Sequence, residues 1–82
     1  MILMDLYLPV VDRVYDFKLD ETKPIGMMIG DIVDMICQKE QWQQPENIEG
    51  MTLWVVDEKR KLSPNSTLAA NSIHSGMRLM LV

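Results

Sequence analysis

Few residues of this chain have side chains able to carry out a reaction, and their placement decides how far that possibility goes. Cys37 is the single thiol and His74 the single imidazole. A lone cysteine forms no intrachain disulfide, and one Cys with one His cannot assemble a zinc cluster of those residues. Both facts fit a reducing compartment. Hydrophobic spacing puts Cys37 near the C-terminal end of a helix, where the macrodipole disfavours a thiolate. That is the opposite of what a reactive cysteine requires, so Cys37 and His74 are not expected to be catalytic. Asp31 and Asp34 stand three apart on the same helix, but two carboxylates without a further ligand make a poor metal site. No catalytic residue, cofactor or metal is assigned.

Other features point to surfaces. The run Lys59-Arg60-Lys61 reads as a solvated hairpin tip, with contact to an acidic partner as the alternative. Gly26, Gly30, Val33 and Cys37 follow at steps of four, three and four and lay small side chains along one helix flank. Two glycines inside a helix cost roughly 1 kcal/mol each relative to alanine, which close approach of another backbone would offset. The chain's own segment Gln41 to Pro45 is the preferred neighbour, ahead of a partner. Of the eight methionines, most are expected to fill the core, with Met27 and Met35 exposed.

The elements that position these residues follow from periodicity. Ile2, Met4, Leu6 and Leu8 alternate with Leu3, Asp5 and Tyr7, a strand pattern. Pro9 to Asp12 supply a turn, and Tyr15, Phe17 and Leu19 then alternate with Val14, Asp16 and Lys18, which completes an N-terminal hairpin. Asp20 to Pro24 read as a helix start, with the helix running roughly from Lys23 to Lys39 and Pro24 in its first turn. Ile25, Met28, Ile29, Ile32 and Ile36 form its apolar stripe. Gln38 to Gly50 is expected to be a crossing loop anchored by Trp42. Met51 to Val56 makes the next strand, and Glu58 to Lys61 a hairpin tip leading to Leu62. A single helical turn within Thr67 to Ser72 points Leu68 inward, and Leu79 and Leu81 mark the inner side of a last strand over Met77 to Val82. One helix across one mixed sheet of four or five strands buries both amphipathic faces, giving an α+β fold in β-grasp order within a single domain spanning 1–82.

Composition narrows the function. The chain has 82 residues, 48% of them apolar and 24% charged, an ordinary globular balance. A chain this short leaves little room for a deep enzyme pocket, burying ~60% of its unfolded surface. Eight Lys and Arg against twelve Asp and Glu give a net charge of −4, which argues against nucleic acid and acidic lipid surfaces as partners. The N-terminal residues lack the basic start of an export signal, and no apolar run approaches a membrane span. A non-enzymatic, cytoplasmic protein without membrane insertion is the expectation.

Period-two alternation then singles out the other side of the sheet. With Ile2, Met4, Leu6, Leu79 and Leu81 facing the helix, Leu3, Tyr7, Trp54, Val56, Met80 and Val82 face outward. An exposed apolar patch containing Trp and Tyr is a partner-binding signature, and Tyr7, Trp54, Val56, Met80 and Val82 are the candidate partner-binding residues. The alternatives are that the segment around Trp42 folds over the patch, or that these are scattered surface apolars.

The stretch Leu62 to Ile73, with its Thr67-Leu68 pair and an Ile five residues after that Leu, resembles ubiquitin, and the ending Gly76-Met77-Arg78-Leu79 is similar to that of small bacterial ubiquitin-like proteins. Together with Tyr15-Asp16-Phe17-Lys18-Leu19 and Lys23-Pro24-Ile25, the chain resembles the YukD/EsaB group, ubiquitin-like proteins associated with type VII secretion systems. The resemblance implies an adaptor that supports or regulates assembly of such a machine by binding cytosolic parts of its membrane components. Modifiers and sulfur carriers of this fold need a flexible Gly-Gly tail, whereas the sequence stops at Val82 within an expected strand, so conjugation is not expected. A modifier or carrier lacking its tail here, or the cytosolic domain of a larger secretion membrane protein, remains the alternative.

Overall fold

Strand β1 (Ile2–Leu8) and strand β2 (Arg13–Leu19) pair antiparallel, Ile2 facing Leu19 and Leu8 facing Arg13. The computed structural model describes residues 1–43, 45 and 48–82, with Glu49 described by its backbone alone. The hairpin turn is closed by the Val11 amide donating to the Leu8 carbonyl and the Asp12 amide donating to that of Pro9. Asp12 takes a positive φ of 51° there, a conformation that Asp tolerates better than most residues.

Helix α1 (Ile25–Glu40) begins two residues later than the sequence pattern predicts and ends one later. Pro24 stands at its N-cap instead of inside its first turn. The acidic lead-in does not cap the helix: Asp20 accepts hydrogen bonds from the Thr22 amide and hydroxyl, making a separate turn. The free amides of the first helical turn are met from far along the chain, Ile25 donating to the Ser66 carbonyl at 2.8 Å and Gly26 to that of Pro64 at 2.9 Å. The buried stripe contains the five expected residues and adds Val33 and Cys37. Gln41 closes the helix in the left-handed conformation.

A short 3-10 turn over Ile48–Gly50 precedes β3 (Leu53–Val55), which is shorter than the expected Met51 to Val56. Gln44, Glu46 and Asn47, inside the expected loop, lie outside the described residues. Strand β4 (Arg60–Leu62) takes in two of the three residues assigned to a basic tip, which moves the turn back to 56–59. Arg60 is held there by Glu58 and by both the side chain and the backbone carbonyl of Asn71. A second 3-10 turn over Ala69–Asn71 follows the fully buried Leu68, and β5 (Arg78–Leu81) completes the sheet.

The five strands lie in the order β2-β1-β5-β3-β4, with β1 and β5 parallel and the other pairs antiparallel. Met4, Leu6, Leu53, Val55, Leu79 and Leu81 meet Ile25, Ile32 and Ile36 of the helix in one buried cluster. This is one helix on a five-stranded mixed sheet, the β-grasp arrangement.

Candidate functional site

Register sorts the outward side chains into rows. Tyr7 faces Val14 on one side and Met80 on the other, Met80 faces Trp54, and Trp54 faces Lys61. One row, Val14–Tyr7–Met80–Trp54–Lys61, therefore crosses every strand. Side chains directly opposite on neighbouring strands are in contact range, so the sheet brings together Tyr7, Met80 and Trp54, which are distant in sequence. All three are half-buried, while Val14 at the end of the row is 63% exposed.

Polar tips of the two aromatics are already satisfied within the chain. The Tyr7 hydroxyl donates to Asp12 Oδ1 at 2.8 Å, and the Trp54 indole N–H donates to Thr52 Oγ1 at 2.9 Å. The first of these bonds, with burial and the Asp12 charge adding to it, raises the Tyr7 pKa above that of an ordinary phenol. With their polar atoms engaged, the rings offer mainly apolar area to whatever approaches.

The remaining candidates border this row. Val56 lies just past β3, in the turn, with its amide donating to the Arg78 carbonyl, and Val82 exchanges two backbone hydrogen bonds with Thr52. Leu3, opposite Lys18, is exposed farther along β1. Between Leu3 and the apolar row runs a charged one, Asp16–Asp5–Arg78. The hydrogen bond and charge of Asp16 hold the Asp5 carboxyl above its usual range, burial adds to this, and Arg78 opposes it. Asp5, Tyr7, Val14, Val56, Arg78 and Leu79 line a shallow depression of about 480 Å³.

Trp42 is absent from the lining of that depression. It lines an apolar groove of about 570 Å³ at the C-terminal end of α1, with Val33, Cys37, Met51 and Leu81. Cys37 is buried, and its thiol points to the Gln43 carbonyl at 3.8 Å. Asp31 is paired with Lys23. Among the described residues, no group of three or more His, Cys, Asp or Glu is placed to hold a metal ion. The flank meets two neighbours: Val33 and Cys37 border the expected segment, lining the groove with Trp42, Gln43 and Pro45, whereas a Cβ at Gly26 would stand 3.3 Å from Pro64 and one at Gly30 would meet nothing within 4 Å.

Sequence reasoning missed Val14 and Lys61 as the ends of the row. The Val14–Tyr7 pairing was available from the length of the hairpin turn, but the pairing of β4 with β3 depended on where the second turn falls.

The fold recurs in solved structures. The EccD5 ubiquitin-like domain from Mycobacterium xenopi matches with a TM-score of 0.75 at 23% identity, over 99% of this chain and 91% of that one. The N-terminal ubiquitin-like domain of the 4931431F19Rik protein matches at 0.69 and 15% identity, over 99% and 72%. ATBAG1, solved in complex with HSP70, matches at 0.68 and 10% identity, over 100% of this chain and 40% of that one. These likenesses define the chain as a ubiquitin-like β-grasp domain. The family model described as the WXG100 protein secretion system (Wss) protein YukD matches residues 4–81, so the chain belongs to the YukD family and is associated with type VII secretion. No curated protein matches it.

Proposed function

We propose that this domain is a non-enzymatic adaptor that supports or regulates a type VII secretion machine in the cytoplasm by docking cytosolic parts of its membrane components. Tyr7, Met80, Trp54, Val56 and Val82 form the docking face. The observation that supports this reading is the Tyr7–Met80–Trp54 row, three large apolar side chains set side by side on the sheet face opposite the helix. Tyr and Trp are the residue types that most often dominate interface energy. Among the described residues no helix is long and apolar enough to cross a membrane, so attachment to the machine rests on protein contacts in this reading.

Trp54→Ala combined with Met80→Ala tests it. The double variant keeps the wild-type fold, read by circular dichroism and thermal melting, yet loses capture of the machine's membrane components and supports less secretion through it. Unchanged capture and secretion in the folded variant would remove this face from the function.

A further inference from the structure

We infer that strand β2 is a self-association edge, and that its occupant is β2 of a second copy, paired antiparallel about Phe17 into a continuous sheet of two chains. This edge shares only Val14 with the outer-face row, and none of the docking residues proposed above lies on it. The sheet has two edges, and they differ. Strand β4 offers three residues, with Arg60 tied to Asn71. Strand β2 offers seven, Arg13–Leu19, with neither proline nor glycine, and among the described residues no backbone hydrogen bond reaches it from beyond the sheet. An edge strand of this length, with a free row of N–H and C=O groups, is a template for another strand.

Charge selects the partner and the register. On the outward side of β2, Asp16 stands opposite Asp5, a like-charge pair, while Lys18 stands opposite Leu3. Like charges directly opposite each other destabilise a sheet, and opposite charges stabilise it. Among the described residues no ion pair involves Asp16 or Lys18. A second β2 centred on Phe17 places Lys18 of one copy opposite Asp16 of the other, and symmetry makes that contact twice. It also sets Phe17 against Phe17 and Tyr15 against Leu19 on the helix side, extending the apolar layer in which the Tyr15 and Phe17 rings already stack at 6.1 Å. Centring on Asp16 instead would bring two carboxylates together on the axis. Centring on Tyr15 would leave Asp16 facing Val14. The Phe17 register is therefore the one that pairs both charges.

Pairing through one short strand buries less than a standard interface, so the dimer should be weak, with a Kd on the order of 100 µM. Sedimentation velocity on the wild-type chain from about 10 µM to about 1 mM should follow this equilibrium, with slowed hydrogen exchange of β2 amides at the upper end. In Asp16→Lys both facing positions are basic and in Lys18→Asp both are acidic, so each variant alone should dimerise roughly tenfold or more weakly. An equimolar mixture of the two should associate as a heterodimer, and the double swap Asp16→Lys/Lys18→Asp should recover the homodimer. Recovery in the mixture or the double swap supports the pairing. A wild-type chain monomeric at about 1 mM overturns it, as does association indifferent to both reversals. If Lys18→Asp does not fold, the double swap alone decides, and failure of that chain to dimerise overturns the register.

Discussion

The two faces of the sheet are cut from the same strands, residue by residue, yet they are built from different chemistry. On β1, β5 and β3 the inner face is aliphatic: Met4, Leu6, Leu53, Val55 and Leu79 are wholly buried and Leu81 is 1% exposed, all within the cluster that includes α1. The aromatics Tyr15 and Phe17 are confined to β2, where the Tyr15 hydroxyl reaches Glu40 at the helix end. Across its middle the outer face carries Tyr7, Met80 and Trp54, none of them fully buried. A tyrosine or tryptophan sealed under the helix would need a partner for its polar atom. On the outside, Asp12 and Thr52 supply those partners and leave the rings free to be covered. Stability is thus concentrated on one side of the layer, and the capacity for contact on the other.

Adjacent residues of β5 give the largest measurable difference. Leu79→Ala removes a fully buried side chain facing the helix and should cost about 2–5 kcal/mol in chemical denaturation. Met80→Ala, one residue along, removes a half-covered side chain from the other face and should cost about 1 kcal/mol or less. Equal losses at the two positions would mean that the faces do not divide the work in this way.

Helix α1 offers the same contrast at smaller scale. Gly30 faces open space, so Gly30→Ala should stabilise the fold by about 1 kcal/mol through helix propensity alone. At Gly26 the added methyl would press on Pro64 from 3.3 Å, so Gly26→Ala should gain less or lose stability. Paired thermal melts of the two variants check the ordering, and a larger gain at Gly26 would contradict the close packing there.

How much of this was legible in the sequence depends on whether the determining contacts are local. β1, β2, the helix stripe and the outward placement of Tyr7, Trp54 and Met80 follow from alternation, because a period of two or of about 3.6 is written in the residues themselves. The start of the helix is different. Asp20, Thr22 and Pro24 look like a capping sequence, but Asp20 spends its acceptor on Thr22 while the helix amides use carbonyls of Pro64 and Ser66. No local pattern announces that exchange, and the same loop explains Gly26. Arg60 likewise reads as one of a cationic run until Asn71 is brought beside it. The Tyr7–Met80–Trp54 row needed the strand order as well as the alternation, since β1 and β3 contribute to one row only by flanking β5 on either side.

The smallest effect is electrostatic and should have opposite signs in two places. On the outer face, Asp5 has its pKa raised mainly by the hydrogen bond and charge of Asp16. A carboxyl with a folded pKa above its unfolded value weakens the fold when ionised, and that penalty disappears as falling pH protonates it. Asp5→Asn should therefore raise the melting temperature at neutral pH, and the gain should fade on acidification through the folded pKa of Asp5 towards the ordinary carboxylate range. Where β2 meets the helix end, Glu40 has its pKa lowered, first by the hydrogen bond from the Tyr15 hydroxyl at 3.0 Å and then by Arg13, against the effect of burial. A depressed pKa contributes stability that is present above the unfolded value and lost as pH falls through the folded one. Tyr15→Phe should accordingly lower the melting temperature at neutral pH, with the loss shrinking only as Glu40 itself becomes protonated, below the usual Glu range. Melting curves of wild type and both variants across the acid range would show one difference fading from above that range and the other persisting to its lower end. If the two fade together, the charges of the two faces are not set apart as their neighbours imply.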